Sequence, residues 1–169
     1  MRRGFTLIEM LISVTILSIM MLFLYKSYSS LNHSNSFYKK EVNSLEHMHL
    51  IKKVIFLDFS LAIKESITIL NQKKVEDVVF MQSSNSLHKR YNPYITYIMK
   101  NSKLYRLESL KPLTYPLRKD SKFSVDYIGE VDSFRVFKSE KEIANLFLVH
   151  VDFKNEDNIL LKIKVLEGS

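Results

Sequence analysis

The sequence predicts an α+β chain: one long N-terminal helix, its first half suited to a membrane, packed on a head built from an antiparallel sheet. Three observations predict it. Phe5 to Tyr25 reads FTLIEMLISVTILSIMMLFLY, 21 residues with one charge, Glu9, and neither Gly nor Pro. As a helix rising about 1.5 Å per residue it spans roughly 31 Å, the depth of a bilayer's hydrocarbon core. Beyond it the chain stays free of Gly and Pro to about Ser66, with apolar residues at helical spacing. From about Val75 that spacing gives way to alternation, the mark of half-buried strands.

The apolar run is a retained anchor and not a cleaved secretory signal. A signal has a shorter apolar region ending at a small-residue cleavage site, whereas this run continues into Tyr25, Lys26, Ser27 and Tyr28. Charge bias leaves the orientation open, because Arg2 and Arg3 precede the span while Lys26, Lys39 and Lys40 follow it. Glu9 is the anomaly. A carboxylate inside a span costs about 2.5 to 3.5 kcal/mol at the bilayer centre and less near the headgroups, so it calls for hydration or a partner.

The stalk, residues 26–66, continues the helix. Leu31, Tyr38 and Leu45 recur at a spacing of seven, with Val42, Met48, His49 and Lys52 nearby, while Asn32 to Ser36 is polar and reads as an exposed stem. Ile51 to Ile63 is denser in apolar residues, as expected where a helix enters a head domain. His47 and His49 point to different faces of such a helix, which argues against a metal site with Glu46.

The head, residues 67–169, holds candidate strands at Val75 to Gln82, Tyr94 to Lys100, Lys103 to Leu110, Phe123 to Ile128, Ser133 to Lys138, Leu146 to Phe153 and Ile159 to Leu166. Phe147, Val149, Val151 and Phe153 share one face. A polar turn, Lys154 to Asn158, leads to Ile159, Leu161, Ile163 and Val165 on one face of the return strand. A second hairpin turns at Asn101-Ser102.

Composition excludes several chemistries. Three glycines leave little material for a phosphate-cradling loop or a dinucleotide fingerprint, and the absence of cysteine removes disulfides, thiolate nucleophiles and cysteine-ligated zinc. No Gly-x-Ser-x-Gly or His-Glu-x-x-His occurs, and His150 with Asp152 lies on a strand face without a nucleophile, so the chain reads as a non-enzyme that needs no cofactor. Asn155, Glu156, Asp157 and Asn158 cluster oxygen ligands in one loop without a full calcium spacing, and read as a solvated turn. The net charge is +7, with local clusters at His88-Lys89-Arg90 and Arg118-Lys119 near Tyr91, Tyr94 and Tyr115. These are DNA-compatible by phosphate contact and stacking. The spread of basic residues along the whole chain favours a solvated face over a DNA site.

Arg2-Arg3-Gly4-Phe5-Thr6-Leu7-Ile8-Glu9-Met10-Leu11 resembles the N-terminal motif of type IV pilins and type II secretion pseudopilins. The resemblance implies a leader, residues 1–4, whose basic Arg2 and Arg3 stay cytoplasmic. It implies cleavage between Gly4 and Phe5 by a prepilin peptidase, N-methylation of Phe5, and a transmembrane helix over residues 5–25 that stays in the mature protein. It also implies an inner-membrane, single-pass topology with the N-terminus in the cytoplasm and the head in the periplasm. Glu9 takes an assembly role by pairing with the N-terminal amine of a neighbouring subunit. Leu7, Ile8, Leu11 and Ile12 become the packing surface within the membrane. Major pilins usually carry a proline near the outer end of the span, and here none precedes Pro93, which favours a minor subunit.

Further along, Leu57-Asp58-Phe59, the Ile95-Thr96-Tyr97-Ile98 and Leu104-Tyr105-Arg106 hairpin, Val131 to Phe137 and the last two strands resemble the J-type minor pseudopilins of type II secretion. The tryptophan-containing insertion often seen in that family is absent. This second resemblance implies a place in a pseudopilus tip beside other minor and major pseudopilins, in contact with inner-membrane lipid, serving protein export. A minor subunit of a type IV pilus or of a DNA-uptake machine is the alternative.

Overall fold

The computed structural model describes residues 6–63, 65–118, 120–139 and 145–166, less the side chains of residues 72 and 73. Helix α1 runs Leu7–Ser60, and seven strands follow: β1 Thr68–Lys73, β2 Glu76–Gln82, β3 Tyr94–Lys100, β4 Lys103–Ser109, β5 Phe123–Lys138, β6 Leu146–Phe153 and β7 Ile159–Lys164. The chain divides into two compact units, residues 1–47 and 48–169.

In the first unit the helix is exposed along nearly its whole length. Its N-terminal part is the one helix among the described residues long and apolar enough to cross a membrane. Hydroxyls within this apolar stretch are satisfied by the helix backbone: Ser13 Oγ donates to Glu9 O, Thr15 Oγ1 to Ile12 O and Ser18 Oγ to Val14 O, each at 2.8 Å. Such internal pairing removes the desolvation cost that free hydroxyls incur in lipid.

In the second unit the strands follow one another in sheet order from β1 to β7, every neighbouring pair antiparallel, with one added parallel contact between β2 and β5 at Glu76 and Phe134. The last turns of α1 pack on this sheet. Met48, Ile51, Ile55 and Phe59, at helical spacing, join Val79, Met81, Ile95, Leu104, Phe134, Val149, Val151, Ile159 and Ile163 in one core. Full burial of side chains of this size contributes about 1.5 to 3 kcal/mol each. Phe59 lies 6.3 Å from Tyr97 and 6.1 Å from Phe147, and Tyr97 lies 5.8 Å from Phe134, so four rings tie the helix to three strands.

The helix ends at Ser60, six residues before the Ser66 boundary expected from its lack of Gly and Pro. The sheet terminates it. Ser84 N donates to Leu61 O at 3.1 Å and Leu166 N to Ser60 O at 2.8 Å, so carbonyls left open at the helix end are met by other segments, while Ile63 N turns away from the helix to donate to Gln82 O at 2.7 Å. β1 is a strand ahead of the alternation that begins at Val75; Thr68, Ile69 and Leu70 pair with Phe80, Val79 and Val78. The expected strands at 123–128 and 133–138 are one continuous strand, β5. Its first half pairs with β4 and its second with β6. Register shifts on either side of Gly129 to Val131 turn the inward face from even positions, Asp126 and Ile128, to the odd Val131 and back to the even Phe134 and Val136, so the alternation is broken midway within one strand.

Gly129 has a steric role there. A Cβ at this position would stand 2.7 Å from Cε1 of Phe153, a core ring 5% exposed. Gly129→Ala is expected to cost the head about 1 to 3 kcal/mol through overpacking. Phe153→Leu in the same chain should return part of that loss, as read from denaturant midpoints.

Candidate functional site

The first candidate site is the beginning of α1. Gly4, Phe5, Arg2 and Arg3 lie outside the described residues, and the described part of the motif starts at Thr6. Thr6 caps the helix. Its N and Oγ1 both donate to Glu9 Oε2 at 2.9 Å, while Glu9 N donates back to Thr6 Oγ1 at 3.4 Å. This reciprocal arrangement is a capping box, in which a threonine and a glutamate three residues later satisfy backbone donors that the first turn leaves open. Glu9 therefore has a partner in its own chain, and its carboxylate sits against the positive end of the helix dipole. The signal in the sequence is Thr-x-x-Glu ahead of an apolar run, Thr6 to Glu9. Leu7, Ile8, Leu11 and Ile12 are exposed and free to pack against another apolar surface.

The second constellation is in the head, where three residues of the separately quoted motifs, Asp58, Tyr97 and Arg106, converge. Asp58 on the last turn of α1, Tyr97 on β3, and Arg106 and Glu108 on β4 are all fully buried. Arg106 Nε donates to Asp58 Oδ2 at 2.7 Å and its NH2 to Oδ1 at 3.2 Å, while NH1 donates to Glu108 Oε2 at 2.9 Å and to Asp126 Oδ2 at 3.0 Å. Asp58 also accepts from Tyr97 Oη and from Asn85 Nδ2, each at 2.7 Å. Glu108 accepts from Ser86 Oγ at 2.7 Å and from Leu87 N at 3.0 Å, and His88 Nε2 lies 3.0 Å from Asp126 Oδ1. One guanidinium thus joins the helix end, two strands and the 83–92 loop. The signal available in the sequence is a pair of charges at alternate positions, Arg106 and Glu108, on one strand and in line with the apolar Leu104.

Burial shifts these groups. It pushes Asp58 up against the pull of Arg106, Tyr97 and Asn85, and it raises Tyr97 well above the ordinary phenol range, with the Asp58 carboxylate adding to the rise. Burial also works against Glu108 and Arg106 as ions. For Glu108 the Ser86 hydroxyl, Arg106 and the Leu87 N–H outweigh it and bring the carboxyl below its usual value, and for Arg106 the Asp58 carboxylate outweighs it and holds the proton more firmly than usual.

His88, Glu108 and Asp126 present ligand atoms within 4.8 Å of one another, a spacing a metal ion could use. Arg106 NH1 already bonds both carboxylates there and supplies the positive charge. The basic clusters are also depleted by the fold. His88 faces Asp126, and Arg90 NH2 donates to Ser124 Oγ at 2.9 Å while NH1 donates to the Glu108 carbonyl. Tyr94 is half-buried, which leaves Lys89, Tyr91, Tyr115 and Arg118 exposed; Lys119 lies outside the described residues. In the 154–158 turn, Asn158 Oδ1 accepts from Phe153 N at 3.2 Å and so closes the hairpin. His150 and Asp152 are half-buried on the face of β6 opposite Val149 and Val151.

Residues 1–25 match the family model of the prokaryotic N-terminal methylation motif. No curated protein and no solved structure matches the chain. The motif supports a type IV pilin-like protein of the kind processed by prepilin peptidase, and with the apolar helix it fits a membrane-anchored chain.

Asp58→Ala leaves the Arg106 guanidinium buried without its main counterion and is expected to cost about 3 to 5 kcal/mol of head stability in denaturant melts. Tyr97 gives a pH test. Its folded-state pKa is raised, so the stability it contributes is full below the unfolded phenol value of about 10 and is lost as pH rises beyond it. Glu108 has the opposite sign: its contribution holds above the ordinary carboxyl value of 4.5 and is lost as pH falls. Tyr97→Phe should lower stability at neutral pH by about 1 to 3 kcal/mol, since it removes one buried donor to Asp58, and should flatten the alkaline limb of the stability profile.

Proposed function

We propose that this chain is a minor pseudopilin, anchored in the bacterial inner membrane with its head in the periplasm, that joins the tip of a type II secretion pseudopilus and serves protein export. Its work is assembly and not turnover. The observation that carries the proposal is the methylation motif at residues 1–25 at the head of an apolar helix that continues to Ser60. In this reading a prepilin peptidase cuts between Gly4 and Phe5 and methylates Phe5, with Arg2 and Arg3 holding the leader at the cytoplasmic face. Glycine suits the cut because a backbone without Cβ admits close approach of a protease.

Glu9 then has two roles. Within the chain it caps the helix through Thr6; between chains it meets the new amine of Phe5 on a neighbouring subunit, so that two charges costly in lipid neutralise one another on assembly. The neighbours are other minor and major pseudopilins. The J-type assignment within this class rests on the head's hairpin and final strand pair, which recur in that family's pattern.

The second reading, a minor subunit of a type IV pilus or a DNA-uptake machine, shares every feature of the N-terminal segment. Lys89, Tyr91, Tyr115 and Arg118 are the exposed remnant of the basic clusters that favours it. The deciding experiment is an in-frame deletion complemented by wild type or by Glu9→Val, with secreted proteins and transformation frequency measured on the same cultures. The proposal expects a depleted secretome, normal transformation, and a Glu9→Val protein that inserts in the membrane but fails to complement. Lost transformation with a normal secretome would replace export by DNA uptake.

A further inference from the structure

The exposed part of α1 carries a pattern beyond the membrane run. Between Lys26 and His47 the apolar residues are Tyr28, Leu31, Phe37, Tyr38, Val42 and Leu45, and all but Phe37 fall on the a and d positions of one heptad frame that starts at Tyr28. Asn35 fills the remaining a position, and Leu24 extends the frame towards the membrane. The stripe is uncovered: Tyr28, Leu31, Tyr38 and Leu45 are each between 64% and 68% exposed, and Val42 is 50% exposed. Within the membrane run every face is apolar and the frame carries no information; here polar residues surround the stripe and define it. The pattern stops at the next a and d positions, His49 and Lys52.

The flanking charges indicate what can cover the stripe. Glu41 stands at g and Glu46 at the following e, the two positions that face each other across a parallel pair. In a pair of identical chains both contacts would be glutamate against glutamate, a repulsion that coiled coils use to reject self-pairing. We infer that residues 28–45 form one strand of a parallel coiled coil with a different chain, whose own heptad seam carries Lys or Arg opposite Glu41 and Glu46. Asn35 sets the register, since a lone polar residue at an a position is stable only against a matching polar partner. The parallel direction rests on the anchored reading above, in which partner helices leave the same membrane.

The chain's lack of cysteine supplies the test, because any disulfide then reports an introduced position. Two tagged forms of the full chain are co-expressed, one with native charges and one with Glu41→Lys and Glu46→Lys, both carrying Leu45→Cys on the seam, and isolated membranes are oxidised. The mixed disulfide should exceed either like pair several-fold. The single change Glu41→Lys in a Leu45→Cys chain should create a homotypic disulfide that the native charges disfavour. Asn43→Cys, off the seam, should give little product in any combination. Like and mixed pairs in random proportion would overturn the charge rule, and no disulfide at Leu45→Cys in any combination would overturn the seam. A chain found uncleaved after Gly4 would defeat the functional proposal but leave this readout intact, since the precursor helix is anchored in the same direction.

Discussion

The head depends on one buried cation. Arg106 is wholly removed from water, and moving an ion there costs several kcal/mol unless its donors are met. They are met by Asp58 from the helix, Glu108 from the same strand and Asp126 from β5. None of these partners can move independently without exposing a charge to an apolar interior. The last turn of α1 is therefore fixed on the sheet by charge and geometry as well as by Phe59 and Ile55. The loop from Ser83 to Asn92 is ordered by the same network through Asn85, Ser86, Leu87 and His88. An apolar core of similar volume would supply comparable stability, but it would not specify which face of the helix meets β3 and β4.

The fixed helix end and the exposed helix beginning answer different needs. The Arg106 network gives the head one packing of helix on sheet. The N-terminal segment needs apolar surface that is left uncovered within the chain, and Leu7 to Leu24 meets that need in lipid or against other helices. Between them, residues 28–45 are neither membrane nor core, and their regular stripe is the feature that a water-exposed stalk would not otherwise retain. A carboxylate within the apolar run fits the same logic: Thr6 gives Glu9 two donors within its own chain.

Much of the architecture was legible because it rests on periodicity. The apolar run, the long helix and the strands Tyr94–Lys100 and Leu146–Phe153 followed from spacing alone. The failures have physical causes. The helix stops at Ser60 because backbone groups of Leu166, Ser84 and Gln82 compete for it, and a partner distant in sequence leaves no local trace. β5 looked like two strands because bulges changed the alternation midway. Asp58 and Arg106 stand in motifs that could be read, but their convergence could not, because the cluster draws on residues 58, 85, 106, 108 and 126 and only the fold brings them together. At the N-terminus the motif could be read residue by residue, yet the capping role of Thr6 was overlooked in a sequence that stated it.

The central claim is that the apolar helix is a processed, retained subunit anchor, and the most direct measurement is the mass of the N-terminal peptide of the protein taken from native membranes. The account predicts a chain that begins at Phe5 with one methyl group on its amine and still contains the helix through Tyr25. A chain that retains Met1 in cells with an active prepilin peptidase, or one cut beyond Tyr25, would contradict it.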